Sequence, residues 1–408
     1  MKKCLFVALA MTVSLGVPVV AGTPADCMSC HDSTDAEYPL LGARLGNEVS
    51  GHATLGNSRY ANATGCQRCH TNEGYVQYVK MDFDTAKYDL WANSKNADGS
   101  NAKDASGKSV PVPYINYPSQ PGCFTCHNPH RSGDFTLRTQ TVDPKTAAVS
   151  NQKITLYDKT VFDGGSGNLC ASCHQARGNV QTATAAQKGM ISPRGASHHG
   201  PEADMLVGAN GYEFAGMKYF SSPHYSFVDN TCIGCHMVQP EARYGFSPEI
   251  GGHAFTVVGD VHEAELGNVA NCIGCHKDIK TVAAKKYINT TITALKNTVY
   301  FTIKAKKDYD GNGKVEFVQQ EVQGLLDRLV NVGGTGVMQK MANPMFKPDG
   351  SFIASKTAYT EAQLGAYANL MYVIEDKSLG VHNSVYTIEL LMDSIKAIDP
   401  SYDAANRP

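Results

Sequence analysis

The chain has 408 residues, with 36 Lys and Arg side chains against 38 Asp and Glu and a formal net charge of −2. Proteins that bind the phosphate backbone of nucleic acids carry a concentrated basic face, so this balance argues against nucleic acid as a partner. The length alone predicts two or three ordinary domains.

Residues 1–22 have the features of a secretory signal peptide. Lys2 and Lys3 precede an apolar run that ends in small residues around Ala21 and Gly22. We therefore expect an exported protein, either periplasmic or at the cell surface. No later apolar run approaches the roughly 20 residues needed to cross a bilayer, so the sequence predicts no membrane span.

Six copies of the pattern Cys-x-x-Cys-His follow, and this pattern is typical of covalently attached c-type haem. Two thiols three positions apart reach the vinyl groups of one porphyrin, and the adjacent imidazole ligates the iron. A thioredoxin-like redox pair would occur once, and zinc sites combine Cys-x-x-Cys with a second half-site. In chain order the motifs are Cys27, Cys30 and His31; Cys66, Cys69 and His70; Cys123, Cys126 and His127; Cys170, Cys173 and His174; Cys232, Cys235 and His236; and Cys272, Cys275 and His276.

The cysteine count agrees with six haems as the cofactors. The motifs use twelve of the 13 cysteines, and the remaining one, Cys4, lies in the predicted signal peptide. We therefore expect the exported protein to contain no free thiol and no disulfide.

Residues 23–278 contain many turn signals and few long amphipathic periods, as in the segment 93–122. A chain with little regular structure can still be compact around large apolar porphyrins. We therefore predict a hexahaem domain of mainly loop and α-helix, with a core packed by haems. The motifs are irregularly spaced, which argues against a solenoid repeat.

Residues 279–408 contain no haem motif and are predicted to form a small helical bundle domain. Helical periodicity predicts helices over 277–307, 318–332, 360–376 and 383–398. Leu325, Leu326, Leu329 and Val330 follow helical spacing, so they are predicted to form bundle core and not cofactor contacts.

The sixth coordination position of each iron separates two functions. A second protein ligand makes the haem an electron carrier, whereas a vacant position admits substrate. Of the 14 histidines, six lie in the motifs and eight do not, which is more than enough for six irons; methionine is the alternative ligand. The eight are His52, His130, His198, His199, His224, His253, His262 and His382.

Four segments resemble parts of large multihaem c-type cytochromes from metal-reducing bacteria. They are SHHGPEADM at 197–205, SPHY at 222–225, GGHAF at 251–255 and GVHNSVY at 380–386. The resemblance implies that the histidines there are distal haem ligands: His199 with His198 as its rival, His224, His253 and His382. A looser resemblance links the start of the last helix to the carboxy-terminal helices of pentahaem nitrite reductases.

His52 and His130 complete the predicted distal set on sequence context alone. His130 lies three residues after His127, so we expect it to ligate a neighbouring haem. His262 lies in the polar stretch 260–265, where a solvated histidine needs no special role, and it is not predicted to be a ligand.

The resemblance implies electron transfer in anaerobic respiration, towards partner cytochromes, towards extracellular metal oxides, or along a homopolymer of this chain. The alternative is a multihaem reductase of a small nitrogen or sulfur oxyanion. In pentahaem nitrite reductases the resemblance leads us to expect a catalytic haem on a motif ending in lysine, and no Cys-x-x-Cys-Lys occurs here. Electron transfer is therefore the favoured prediction, and no catalytic residue is assigned.

The segment 308–319, DYDGNGKVEFVQ, resembles an EF-hand calcium loop. The predicted ligands are Asp308, Asp310, Asn312, the Lys314 carbonyl and Glu316, with Gly313 at the turn. The twelfth position is Gln319 in place of the usual bidentate glutamate, and Glu321 is a substitute two residues later. We predict a structural calcium ion; the alternative is an ordinary turn between two helices.

Overall fold

The fold is described from a computed structural model. It describes residues 40–54, 64–96, 98, 100–108, 115, 118–128, 135–187, 197–240, 248–261, 264–283, 299–353 and 358–408. Helix and irregular backbone predominate, as the sequence predicts.

The described residues between 40 and 240 form short helices, none longer than nine residues. They are α1 (Leu41–Val49), α2 (Gly51–Thr54), α3 (Thr64–His70), α4 (Asn72–Lys80), α5 (Thr85–Ala92), α6 (Cys123–Cys126), α7 (Asn168–Ala171), α8 (Val180–Ala186), α9 (Glu202–Val207), α10 (His224–Phe227) and α11 (Cys232–His236). Side-chain caps begin several of them; the hydroxyl of Thr71, for example, accepts a hydrogen bond from the Gly74 N–H at the start of α4.

The strands of the described residues pair two by two as antiparallel ladders: β1 with β2, β3 with β4, β5 with β6 and β7 with β8. Their bounds are β1 Gln140–Val142, β2 Val149–Asn151, β3 Ile154–Thr155, β4 Val161–Phe162, β5 Val258–Val261, β6 Ala264–Gly267, β7 Thr281–Ala283 and β8 Val299–Phe301.

The described residues from 299 to the end of the chain contain four helices: α12 (Val318–Leu329), α13 (Val337–Lys340), α14 (Glu361–Asp376) and α15 (Ser384–Ile398). The predicted helices over 318–332, 360–376 and 383–398 are confirmed, with small shifts at their ends. Thr360 caps α14 and Asn383 caps α15 through their side-chain oxygens. None of the helices in the described residues is long and apolar enough to cross a membrane.

The predicted helix over 277–307 is wrong in the part that the structure describes. Residues 281–283 and 299–301 form the β7–β8 ladder instead. The residues that pair include Thr281, Val282, Val299, Tyr300 and Phe301, which are β-branched or aromatic and favour strands. Residues 284–298 lie outside the described part.

The main hydrophobic core surrounds α14 and α15. Every residue of α14 from Leu364 to Asp376 is buried, because the helix packs against both α15 and α8. Leu325, Leu326, Leu329 and Val330 are fully buried in the same cluster, which confirms their assignment as core.

This core also contains residues from before the predicted domain boundary at 278. Ala176, Val180, Met205 and Tyr212 pack in the same cluster as the carboxy-terminal helices. The buried Asn369 on α14 reinforces the connection, since its side chain bonds both the N–H and the carbonyl of Tyr212. The helical segment is thus packed directly onto the haem-motif segment.

Candidate multihaem site

One large cavity lies among the segments that carry the haem motifs. Its volume is about 2720 Å³, whereas a pocket for one small molecule is about 300–1,000 Å³. All eleven histidines that the structure describes line this cavity: His52, His70, His127, His174, His198, His199, His224, His236, His253, His276 and His382. Nine motif cysteines line it as well: Cys69, Cys123, Cys126, Cys170, Cys173, Cys232, Cys235, Cys272 and Cys275.

Single helical turns hold the described motifs. In each of three motifs the N–H of the histidine donates to the carbonyl of the first cysteine, at 2.8–2.9 Å for His127, His174 and His276. The two cysteines of such a turn are neighbours on the helix surface. This arrangement presents two thiols and one imidazole to the cavity, as porphyrin attachment requires.

The histidines of the cavity form pairs, and each pair joins one motif histidine to one histidine from outside the motifs. The distances between ring centres fall between 6.1 and 6.4 Å in all five pairs. The pairs are His174 with His52 at 6.1 Å, His236 with His382 at 6.1 Å, His127 with His253 at 6.3 Å, His276 with His224 at 6.3 Å and His70 with His198 at 6.4 Å.

These separations match two imidazoles that share one metal ion. Metal–nitrogen bonds to imidazole are about 2.0–2.1 Å, and each nitrogen lies roughly 1.15 Å from its ring centre, so an ion in line between two rings would hold the ring centres about 6.3–6.5 Å apart. Every motif histidine that the structure describes has such a partner. The cavity therefore fits haems with an imidazole on each face.

The hydrogen bonds of the imidazoles leave the other ring nitrogen for a metal. Seven histidines place Nδ1 against an oxygen that can only accept, so Nδ1 donates and the lone pair of a neutral ring is on Nε2. The bonds are His127 to Phe135 O (2.7 Å), His198 to His199 O (2.7 Å), His224 to Val381 O (2.8 Å), His236 to Phe255 O (2.9 Å), His174 to Glu202 (3.2 Å), His199 to Glu375 (2.6 Å) and His382 to Asp376 (2.6 Å).

Burial keeps several of these rings neutral. It lowers the pKa of His52 and of His198 to about 4, and it also lowers the pKa of His224 and of His253. A metal binds the deprotonated imidazole, so the four rings are in the ligating form at neutral pH.

Two other rings are influenced by carboxylates. The charge of Glu202 raises the pKa of His174 to about 9. Burial disfavours the charged form of His382, but the Asp376 carboxylate outweighs it and raises the pKa of that imidazole to about 9. A metal on Nε2 would replace the second proton of each ring.

The two adjacent histidines, His198 and His199, occupy different positions. His198 faces His70, whereas His199 lies outside the five pairs and places Nδ1 on Glu375. Their ring centres are 5.6 Å apart. Arg177 donates to Nε2 of His198 at 3.1 Å, and this contact has to break before a metal binds there.

Neighbouring motifs abut one another inside the cavity. The thiol of Cys69 lies close enough to that of Cys173 to interact with it, and the thiols of Cys170 and Cys232 are related in the same way. Phe255 makes T-shaped contacts with both His52 and His253, with ring centres 5.0 and 5.7 Å apart. Groups attached at these motifs would lie close together, which is the arrangement that electron transfer needs.

Sequence reasoning missed the residues that orient the distal histidines. Glu375 and Asp376 end α14, and Val381 lies in the connection to α15; they bond His199, His382 and His224 respectively. A signal was present, because consecutive acids at a helix C-terminus oppose the helix dipole and are expected only where another interaction holds them.

Part of the predicted site lies outside the described residues. All three residues of the first motif, namely Cys27, Cys30 and His31, are in that part of the chain, and so is the predicted distal ligand His130. The structure therefore places neither the thiols of Cys27 and Cys30 nor the two imidazoles relative to the cavity. The assignment of Cys27 and Cys30 to haem attachment, and of His31 and His130 to iron ligation, stays a prediction.

The predicted calcium loop brings three carboxylates together. Oxygens of Asp308, Asp310 and Glu321 lie within 4.8 Å of one another, so Glu321, the substitute for Gln319, joins the two aspartates, whereas the predicted ligand Glu316 is not in this group. Burial, together with the charges of Glu321 and Asp308, raises the pKa of Asp310 to about 6. Gly313, at φ +88°, makes the turn that a side chain would strain.

The other predicted ligands of the loop have different contacts. The Asn312 amide donates to Asp310 and to Glu316, while its oxygen accepts from the Lys314 N–H. Glu321 also accepts from the N–H groups of Tyr309 and Asp310. These bonds shape the loop around the carboxylates.

No protein-family model, no curated protein and no solved structure matches this chain. The geometry of the cavity is therefore the basis for assigning a function.

Proposed function

We propose that this protein is an electron carrier that holds six covalently attached c-type haems in one cavity. The observation that carries the proposal is the set of five histidine pairs, each with the ring separation of a shared metal ion. When bound, haem iron alternates between the ferric and ferrous states and so carries one electron at a time. The chain attaches the porphyrins through its cysteines and fixes the irons through its imidazoles.

The pairing supports one distal ligand for each described motif. His198 would serve the second motif, His253 the third, His52 the fourth, His382 the fifth and His224 the sixth. In this assignment His198, the rival of His199 in the sequence-based prediction, takes the iron held by His70.

His199 is then the described histidine left for the iron of the first motif. Its Nδ1 is held by Glu375 at 2.6 Å, so its Nε2 carries a lone pair, as in the paired histidines. His130 and His262, which lie outside the described residues, are the alternative ligands for this iron. The variants His198→Ala and His199→Ala should each open one iron, and resonance Raman or magnetic circular dichroism would distinguish the two haems. If His199→Ala leaves every iron six-coordinate, His199 is not a ligand.

The reductase alternative has less support. A substrate site needs an iron without a distal side chain, whereas each of the five described motif histidines faces a second imidazole. The resemblance to multihaem cytochromes of metal-reducing bacteria favours partner cytochromes or extracellular metal oxides as redox partners of the exported protein, or a homopolymer of this chain. Reduction of a partner cytochrome and of ferric oxide, measured in parallel, would separate the acceptors.

We also propose that the loop 308–319 binds calcium. Three carboxylate groups within 4.8 Å of one another repel in the absence of a cation, and hard oxygen ligands around a glycine turn suit calcium. The ion would be structural, since the loop that would hold it leads directly into the first turn of α12.

Mass and spin state test the main proposal. The intact mass of the exported protein should include six haems, and a free-thiol assay on unfolded protein should read zero. The ferric protein should be entirely low-spin, because each iron has two imidazole ligands. A mass lacking one haem would reduce the count, and a substantial high-spin signal that binds nitrite or sulfite would favour the reductase.

A further inference from the structure

The five histidine pairs differ in what their Nδ1 atoms bond. In two of them the partner is a carboxylate: Asp376 Oδ1 lies 2.6 Å from His382 Nδ1, and Glu202 Oε2 lies 3.2 Å from His174 Nδ1. The Asp376 side chain is fully buried. In the other three pairs His127, His198 and His224 donate to peptide carbonyls.

The two carboxylate-bonded sites are neighbours. His174 belongs to the same motif as Cys170, His236 belongs to the same motif as Cys232, and the thiols of these two cysteines lie close enough to interact. Glu202 also acts electrostatically on His382. The two carboxylates thus act on adjacent positions in the cavity.

A carboxylate that accepts the Nδ1 proton makes the imidazole a stronger donor at Nε2. Stronger donation stabilises ferric iron, which carries one more positive charge than ferrous iron. The negative charge, which is fully buried at Asp376 and partly exposed at Glu202, acts in the same direction, because charges interact strongly in a low-dielectric interior. Both effects make uptake of one electron less favourable and lower the reduction potential.

We propose that Asp376 and Glu202 make the haems ligated by His236/His382 and His174/His52 the two lowest in potential among the five described sites. This inference rests on the proposed function. Electrons passing between the outer haems would then cross a low-potential region in the middle of the chain of haems. Asp376 and Glu202 are positioning residues, since they act through the imidazoles.

Variants of Asp376 and of Ser378 should shift the reduction potential in opposite directions, which gives a test of the inference. The Asp376 carboxylate accepts from both the hydroxyl and the N–H of Ser378. Asp376→Asn removes the charge but keeps an oxygen acceptor for His382, so the lowest potential should rise. Ser378→Ala leaves the charge but withdraws a donor from the carboxylate, so the imidazole should become a stronger ligand and the potential should fall.

The chain contains a matched control for this change. Asp399 follows the last residue of α15 and accepts from the N–H of Ser401, in the same Asp-x-Ser arrangement at a helix end, but it is partly exposed, unlike Asp376, and holds no imidazole. Asp399→Asn should leave the potentials unchanged.

Asp376→Asn should change the reduction equilibrium of one haem at least tenfold, about 59 mV for a one-electron couple. Glu202→Gln should raise the potential of the adjacent haem.

Spectroelectrochemical titration of the intact protein measures these shifts, and the g values of the low-spin electron paramagnetic resonance signals report ligand strength separately. Equal behaviour of Asp376→Asn and Asp399→Asn, or a rise in potential for Ser378→Ala, would overturn the inference. If the wild-type protein has six low-spin haems but the variants leave the potentials unchanged, this inference alone is contradicted. A wild-type protein without haem contradicts the proposed function itself.

Discussion

The two ring nitrogens have separate roles in seven of the described histidines of this site. Nδ1 bonds a carbonyl or carboxylate and fixes the orientation of the ring, as for His224 on the Val381 carbonyl. Nε2 is then left for a metal, and the ring centres of each pair lie 6.1–6.4 Å apart. The paired residues are distant in sequence, as with His52 and His174, so each iron would connect separate segments of the chain.

Replacing a distal histidine should open one iron without releasing its haem. In His224→Ala and in His253→Ala the two cysteines and the motif histidine are retained, so the haem stays attached while its distal imidazole is lost. One high-spin signal should appear, and the reduced protein should bind about one equivalent of carbon monoxide. A wholly low-spin variant with unchanged carbon monoxide binding would remove that histidine from the ligand set.

At the scale of elements, α14, α15 and the connection between them form a support for three distal histidines. Glu375 and Asp376 bond His199 and His382, and the Val381 carbonyl bonds His224. Each acid opposes the dipole of α14 at a cost of roughly 0.3–1 kcal/mol. The fully buried Asn383 caps α15 and also accepts from the Ser222 N–H, which ties the segment before His224 to this support.

Two helix caps allow a controlled test of this support. Asn383→Ala removes the cap of α15 and leaves the Ser222 N–H without its partner, so it should lower the free energy of unfolding by about 2–3 kcal/mol. It should also convert one or two haems partly to high-spin. Thr360→Ala removes the cap at the start of α14, the end of that helix away from Glu375 and Asp376. It should lower the free energy of unfolding by about 1 kcal/mol with no spectral change. Denaturant titration and ferric absorption spectra give both quantities. Identical spectra for the two variants would show that the connection does not orient the imidazoles.

The calcium loop connects to the same support through α12. Glu321 lies in the first turn of α12, and the amide of Gln319 reaches the Ser378 carbonyl at 3.4 Å. The double change Asp308→Ala and Asp310→Ala should therefore lower the melting temperature and convert about one haem, the one ligated by His382, to high-spin. Chelator should do the same to the unchanged protein. If neither treatment alters stability or spin state, the loop is an ordinary turn.

At the scale of the whole molecule, the cavity of about 2720 Å³ takes the place of a second hydrophobic core. Phe227 is 79% exposed beside it, and an attached porphyrin would cover such a side chain. The fourth motif lies at the centre, because Cys173 contacts Cys69 and Cys170 contacts Cys232. Haem loss there should affect the fold more than haem loss at the periphery.

Replacing both cysteines of one motif by serine tests whether haem loss at the centre destabilises the fold more than haem loss at the periphery. Cys170→Ser with Cys173→Ser should lower the melting temperature by roughly 5 °C or more relative to Cys272→Ser with Cys275→Ser, a difference of about 4 kcal/mol or more for a chain of this size. The comparison is matched, since each variant loses two thioether bonds, and the exposed Cys275 marks the sixth motif as peripheral. Equal melting temperatures would contradict a haem-packed core centred on the fourth motif.

The sequence by itself determined the local features of this protein. The Cys-x-x-Cys-His turns, the core positions Leu325 and Leu326 and the helices that begin after Thr360 and Asn383 depend on spacing and capping within a few residues, which a linear pattern records. Only the tertiary structure decided which histidine faces which motif, that His198 and not His199 faces His70, and that Glu202 and Asp376 bond imidazoles. It also decided that 281–283 and 299–301 pair as strands. These are contacts between distant segments, and their energies depend on burial and geometry that adjacent residues do not specify.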